Sequence, residues 1–211
     1  QNPEDRELFE TQKLVRPDLA AILPGSGIDL EKFPLSVSNV AKKSTSITFL
    51  LIARMLRDKG VREYAKAAQI IKKSHPNVTF QLLGELDEHN PNSLTKQDLS
   101  RWIEAGLVNY LGSTSDVRPF IDMADCIVLP SYREGLPRVL LEAGAMGKPV
   151  VASDVEGCRE VVDHGLTGFM CEVRNPESLA ECLSTIASMS VEQRYSMGLA
   201  ARQKMEREFD E

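Results

Sequence analysis

The sequence predicts an α/β fold, a doubly wound and all-parallel sheet of six strands with helices on both faces. Three observations predict it. Short apolar runs alternate with stretches of helical periodicity from residue 47 onward. The runs span four to seven residues, the length of buried parallel strands. The chain has 211 residues, 42% of them apolar and 27% charged, enough for one ordinary globular domain with a core that needs no staples.

The elements follow in order. Residues 36–46, SVSNVAKKSTS, are small and polar and predict a linker, with 1–35 set apart before it. Ile47–Ala53 is the first strand. Residues 59–74 place Val61, Tyr64, Ala65, Ala68 and Ile71 at helical spacing. Val78–Leu83 is the second strand, and residues 95–105 form a helix with Leu99, Trp102 and Ile103 on one face. Val108–Leu111 is the third strand. Asp116–Ala124 is a short helix with Asp116 as its candidate cap. Cys126–Leu129 is the fourth strand, ended by Pro130. Pro137–Met146 is a helix with proline at the first position, where its missing N–H costs little. Pro149–Ala152 and Gly168–Cys171 are the fifth and sixth strands, and helical stretches at about 176–188 and 191–208 follow. Right-handed crossovers favour the strand order 3-2-1-4-5-6. That order sets strand one beside strand four, and ligands bind outside the carboxyl ends at this reversal.

Composition excludes several classes. Lys and Arg number 25 against 31 Asp and Glu, a net charge of −6, which argues against a general nucleic-acid binder. No apolar run approaches the roughly 20 residues of a membrane span. No basic-then-apolar leader is present, and the opening at Gln1 reads as mid-segment, so a fragment is expected. Cys126, Cys158, Cys171 and Cys182 form no Cys-x-x-Cys pair, so the expectation is a reduced, cytoplasmic protein. His75, His89 and His164 are scattered singly, so no metal site is expected. Met146, Met189, Met197, Met205 and Trp102 read as packing residues, Lys42-Lys43 and Lys72-Lys73 as solvated faces, and EREFDE as a fraying end.

The residues at the reversal carry the chemistry. After strand one, Arg54 abuts the apolar run, and Lys59 and Gly60 open the next helix. Cations at a helix start oppose its dipole unless an anion joins them. A phosphate supplies that anion and uses the unpaired N–H groups; a solvated basic loop is the plain alternative. After strand four, Glu134 sits in the loop and Glu142 in the helix. Glu142 is the one charged residue from Val139 to Gly147, so it is expected to be buried with a partner. Sugar hydroxyls, an internal cation or an ion pair across the core would each serve. Gly135 and Gly84 let backbone approach a ligand, and Gly25 and Gly27 flank Ser26 before the linker. The helix at Pro137 offers N–H groups near Arg138, Val139 and Leu140, a second anion cradle facing Arg54 and Lys59.

Glu134 and Glu142 share a Glu-x7-Glu spacing inside EGLPRVLLEAGAMGKPVVASDVEGCREVV. That stretch, with PGSGID at 24–29, ARMLRDKG at 53–60 and FQLLGE at 80–85, resembles the nucleotide-sugar half of a retaining glycosyltransferase of family 4. The resemblance implies a GT-B architecture of two Rossmann-like domains, of which this chain carries the C-terminal one. Residues 1–35 would be the junction with a missing N-terminal acceptor domain, 36–46 the linker, 47–190 the donor domain and 191–211 a C-terminal helix. Arg54 and Lys59 would bind the donor diphosphate and stabilise the departing nucleotide. Glu134 would lie against the transferred sugar, with Gly135, Leu136 and Pro137 approaching sugar and phosphates through backbone. Arg138 and Val139 would add helix N–H groups, Gly84 would line the donor site, Glu142 would accept from the ribose hydroxyls, and the base would lie near the strand-three exit, around Tyr110 and Leu111.

The resemblance further implies metal-independent transfer with retained configuration and no tightly bound cofactor, the donor being a substrate. A uridine-based donor, an N-acetylhexosamine among them, is the favoured expectation. The acceptor would be a polysaccharide or lipid-linked glycan of a bacterial pathway, met through the missing domain, with peripheral contact at the inner face of the cytoplasmic membrane. Alone, this chain is expected to turn over little or no substrate. A non-hydrolysing UDP-sugar epimerase and a non-catalytic α/β nucleotide-binding module remain as alternatives. A dinucleotide oxidoreductase is disfavoured because ARMLRDKG stands where Gly-x-Gly-x-x-Gly is needed.

Overall fold

The computed structural model describes residues 3–21, 27–36, 46–87 and 89–211. Residues 37–45 of the expected linker, Lys42-Lys43, Gly25 and Ser26 lie outside the described residues. Helix α1 (Pro3–Thr11) comes first. Then β1 (Ile47–Ile52), α2 (Val61–Ile71), β2 (Val78–Leu83), α3 (Lys96–Glu104) and β3 (Asn109–Tyr110) follow. Next come α4 (Arg118–Met123), β4 (Cys126–Leu129), α5 (Arg138–Ala145) and β5 (Val150–Ser153). The chain continues through α6 (Glu156–Val161), β6 (Gly168–Cys171), α7 (Pro176–Ser188) and α8 (Val191–Glu208).

The described strands form one six-stranded sheet in the order β3-β2-β1-β4-β5-β6. Every pairing is parallel, and β1 runs in register with β2 from Ile47↔Val78 to Ile52↔Leu83. The α/β, doubly wound Rossmann-like fold is therefore the one the sequence predicts. Side chains alternate across β1: Phe49 and Leu51 enter one core with α2 and α7, and Leu50 enters the other with α4 and α5. Both faces are covered, which is why β4 and β5 read as unbroken apolar runs.

Tyr64 ties α2 to the sheet. It is fully buried, stacks edge-on against Phe80 at 5.1 Å, and shares its hydroxyl proton between the carbonyls of Phe49 (2.9 Å) and Gln81 (3.3 Å). Burial pushes its hydroxyl pKa well above the usual value. Helix α8 is set by a capping box: Ser190 Oγ accepts from the Gln193 N–H, and Gln193 Oε1 accepts from the Ser190 N–H.

Several boundaries differ from the sequence reading. α4 begins at Arg118 with Val117 as its cap; Asp116 instead binds the Arg118 guanidinium at 2.8 Å and accepts from the Arg118 N–H. Pro137 is the cap of α5 in extended backbone, not its first residue. Ile103 stands 44% exposed at the edge of α3, because that helix meets the core only along Leu99 and Trp102. Helix α6 escaped notice because its six residues are too few for a periodicity to register. EREFDE does not fray: α8 runs to Glu208, and Phe209 O accepts from the Ile28 N–H at 2.7 Å. Ile28 is buried and anchors that pairing.

The packing residues behave as expected: Met146, Met197 and Met205 are buried, and Met189 and Trp102 lie against the core. The four cysteines are free thiols, and burial pushes Cys171 up to about 12. No helix among the described residues is long and apolar enough to cross a membrane. Tyr64→Phe is expected to cost about 1–2 kcal/mol, the loss of a buried hydroxyl from two strand carbonyls, and Tyr64→Ala about 3–5 kcal/mol. Urea unfolding of the two variants checks both values and their order.

Candidate functional site

The site begins where β1 and β4 end side by side. Leaving β1, the chain passes Arg54, turns once through a 3₁₀ segment at Arg57–Lys59, and enters α2 through Gly60. Gly60 has φ +68° and ψ 23°, the left-handed region. A Cβ there would lie 2.0 Å from the Pro130 carbonyl oxygen, so the two loops meet backbone to backbone. The Tyr132 N–H donates to Asp58 O at 2.8 Å and completes the seam.

That seam carries Glu134 to Lys59. Their carboxylate and ammonium are 2.6 Å apart, with side-chain exposures of 13% and 22%. Arg54 is exposed nearby, with no side-chain hydrogen bond or ion pair among the described residues. Helices α2 and α5 both start at this reversal without a side-chain cap, but the Leu140 N–H that the sequence offers to an anion donates instead to Pro137 O at 3.0 Å, one turn of the helix closing on itself. Gly135, Leu136, Pro137, Arg138 and Val139 lead from Glu134 into α5. Lys59, Glu134 and two helix starts thus meet at the β1/β4 reversal, with Arg54 exposed where the chain leaves β1.

The second carboxylate of the pair is placed differently. Glu142 is 15% exposed, and the cation nearest to it is Arg138, one turn back on α5 at 4.0 Å and largely solvated. The ion pair across the core is thus not formed among the described residues. Burial raises the Glu142 pKa from 4.5, and the charges of Arg138 and Lys32 oppose the shift.

Tyr110 and Leu111 leave the sheet at β3, two strand spacings or about 10 Å from β1. The Tyr110 hydroxyl donates to Gly84 O at 2.8 Å, so it braces the turn after β2. Burial raises its pKa, with the Glu85 charge adding to it. Gly84 itself gives its N–H to Gly112 O at 2.7 Å. Gly84, Tyr110 and Leu111 therefore form a separate patch along the same rim.

Sequence reasoning missed the supports of the Glu134 loop. Gly157, in α6, approaches so closely that a Cβ would lie 2.0 Å from Gly135 O. The Tyr132 hydroxyl donates to Glu63 Oε1 at 2.9 Å, and the Arg174 guanidinium covers the Tyr132 ring at 4.5 Å. Burial and the Glu63 carboxylate raise the Tyr132 pKa. These four residues lie on separate elements, and only the glycine in SDVEGCREVV carried a signal. Among the described residues, no group of three or more His, Cys, Asp or Glu is placed to hold a metal ion.

The glycosyl transferases group 1 family matches residues 34–204. The chain is 36% identical over 174 residues to the N,N'-diacetylbacillosaminyl-diphospho-undecaprenol alpha-1,3-N-acetylgalactosaminyltransferase of Campylobacter jejuni, covering 78% of this chain and 44% of that protein. It is 26% identical over 200 residues to the UDP-Gal:alpha-D-GlcNAc-diphosphoundecaprenol alpha-1,3-galactosyltransferase of Escherichia coli, covering 89% and 50%. The chain spans about half the length of these curated relatives. The crystal structure of Anabaena Alr3699/HepE in complex with UDP and glucose shares the fold, with a TM-score of 0.83 at 24% identity over 99% of this chain and 58% of that one.

The Glu142 shift has a testable consequence. A carboxyl whose folded pKa is raised binds its proton more tightly in the folded state, so stability falls as pH rises from the unfolded value through the folded one. Glu142→Gln removes that penalty. The variant is expected to be at least as stable as wild type at pH 7. Its advantage should shrink as pH falls through the folded pKa toward the ordinary value of 4.5. Urea unfolding of both proteins across this range measures the difference.

Proposed function

Because the chain belongs to the glycosyl transferases group 1 family, we propose that it is the donor half of a hexosyltransferase-type glycosyltransferase, binding a UDP-sugar for transfer to a lipid-linked or polysaccharide acceptor. The observation that carries this reading is the crevice itself: Arg54, Lys59 and two uncapped helix starts gathered at the β1/β4 reversal. The names of the two relatives, both acting on undecaprenol-linked acceptors, support the acceptor class. The UDP in the Anabaena structure supports the base.

In this reading the diphosphate sits against Arg54, Lys59 and the first turn of α5. Departure of the nucleotide leaves negative charge on its phosphates, and fixed cations with helix N–H groups aimed there stabilise that charge. Arg offers a bidentate grip and Lys a point charge. Glu134 orients the sugar, Gly135 to Pro137 pass beneath it, and Arg138 and Val139 close the cradle. Glu142 accepts from the ribose hydroxyls, and the base lies toward Gly84, Tyr110 and Leu111. Transfer proceeds without a metal and with retention at the anomeric carbon. Residues 47–190 form the donor domain, with 191–211 closing it. The acceptor binds to the half of the relatives' length that this chain does not span, at the cytoplasmic face of a membrane.

Calorimetric titration with uridine, guanosine and adenosine diphosphates tests the reading. Selective UDP binding is expected, weakened about 100-fold or more in an Arg54→Ala, Lys59→Ala double variant, since each charge-assisted contact contributes about 1.5–3 kcal/mol. UDP binding that survives both substitutions would rule out Arg54 and Lys59 as the phosphate cradle.

A further inference from the structure

The ammonium that a diphosphate needs is already engaged. Lys59 Nζ lies 2.6 Å from Glu134 Oε1, and both side chains are mostly shielded. The loops that carry them are seamed by the Gly60–Pro130 approach and by the Tyr132 N–H on Asp58 O, and Gly157 supports the Glu134–Gly135 backbone. Those contacts hold the two backbones together, so the pair can separate only by rotation of the side chains. A shielded carboxylate is costly to leave without a cation or a donor. Arg54 is different: it is exposed and has no side-chain ion pair among the described residues. The site therefore presents one cation ready for an anion and one that must first change partners.

We propose that the Lys59–Glu134 pair is a partner-exchange latch that makes the site discriminate against a free nucleoside diphosphate relative to the intact sugar nucleotide. The proposal rests on the donor-binding reading above. A diphosphate entering the crevice draws Lys59 away from Glu134 and so leaves that carboxylate without its cation. With the sugar attached, sugar hydroxyls donate to Glu134 and replace the lost ammonium. A free diphosphate brings no such donor, so Glu134 is left shielded and unsatisfied. After transfer the product is the free diphosphate, and the return of Lys59 to Glu134 favours its release. Glu134 then acts twice, on the sugar and on the departure of the nucleotide.

Two simpler roles make opposite predictions. A carboxylate that merely orients Lys59 would aid diphosphate binding. A carboxylate that merely repels phosphate would oppose it whether or not Lys59 is present.

The experiment is a double-mutant cycle on this chain: wild type, Glu134→Gln, Lys59→Ala and the double variant. Each is titrated calorimetrically with UDP and with the tightest-bound of UDP-glucose, UDP-galactose and UDP-N-acetylgalactosamine. Circular dichroism confirms folding, and Glu134→Ala replaces the glutamine variant if that one does not fold. Glu134→Gln is expected to bind UDP on the order of tenfold more tightly, to bind the UDP-sugar no more tightly, and so to lose selectivity by about that factor. The gain for UDP should vanish in the Lys59→Ala background. Weaker UDP binding by Glu134→Gln makes Glu134 an orienting group and overturns the latch. A gain that persists without Lys59 is plain repulsion and overturns it equally. Both of those outcomes leave donor binding standing, whereas a wild-type chain that binds neither UDP nor any of the UDP-sugars overturns the donor reading and the latch together.

Discussion

Everything at the candidate site depends on one backbone contact, the approach of Gly60 to the carbonyl of Pro130. Neighbouring parallel strands send their following loops away from each other toward separate helices. Here a left-handed residue at the entrance to α2 turns the first loop back onto the second. No side chain fits between them, so the contact admits glycine alone. It converts two independent loops into one wall, and the Tyr132–Asp58 hydrogen bond fastens that wall a few residues on. The Lys59–Glu134 pair joins residues 75 positions apart, and it is a consequence of this seam.

The charges around the wall are balanced, and the balance is local. Lys59 is matched by Glu134, and the Tyr132 hydroxyl is held by Glu63 under the Arg174 guanidinium. Arg54 and the starts of α2 and α5 stand outside these pairings, and their combined positive potential faces the crevice. Glu142 is a shielded carboxylate whose nearest cation among the described residues, Arg138 at 4.0 Å, is too distant for a hydrogen bond. Such a group gains most from a ligand that brings donors, which is what a ribose diol offers. The same physical rule governs both glutamates: a shielded carboxylate takes whatever donor is nearest. The residues around them decide whether that donor belongs to the protein or to a ligand.

Outside the site, the segment before the sheet and the end of the chain stabilise each other. Ile28 and Phe33 are buried, the Ile28 N–H reaches Phe209 O, and Arg202 on α8 donates to the carbonyls of Phe33 and Ala145. Lys204, nearly buried, holds Asp163 at 2.6 Å and so ties α8 to the loop between α6 and β6. α8 thereby connects three parts of the chain that are remote in sequence, and its acidic end is ordered by pairing and not by propensity.

The sheet was legible because buried parallel strands leave a one-dimensional trace. Cys126–Leu129 and Gly168–Cys171 are apolar runs and Val78–Leu83 a mainly apolar one interrupted by Thr79 and Gln81; their ends can be read directly, and the strand order follows from the handedness of the crossovers. The helices α7 and α8 were legible as helical stretches, and the structure adds their caps, Asn175 and Ser190, each accepting from the N–H three residues on. The chemistry-bearing residues were legible for a similar reason: Arg54 and Lys59 lie between the end of β1 and the start of α2, and Glu134 and Glu142 in the loop and helix that follow β4, elements whose positions the pattern sets. Short elements such as α6, and the cap of α4, carry too few residues for a period or too many competing hydrogen-bond partners for an Asp. What sequence alone determined was which residues arrive at the rim of the sheet, because local periodicity and strand order decide that. What only the tertiary structure decided was which of them touch: that Lys59 meets Glu134, that Glu142 has no partner across the core among the described residues, and that Gly157 stands behind Gly135. Those contacts depend on how loops from non-adjacent segments pack, and packing of that kind is set by three-dimensional fit that no spacing along the chain encodes.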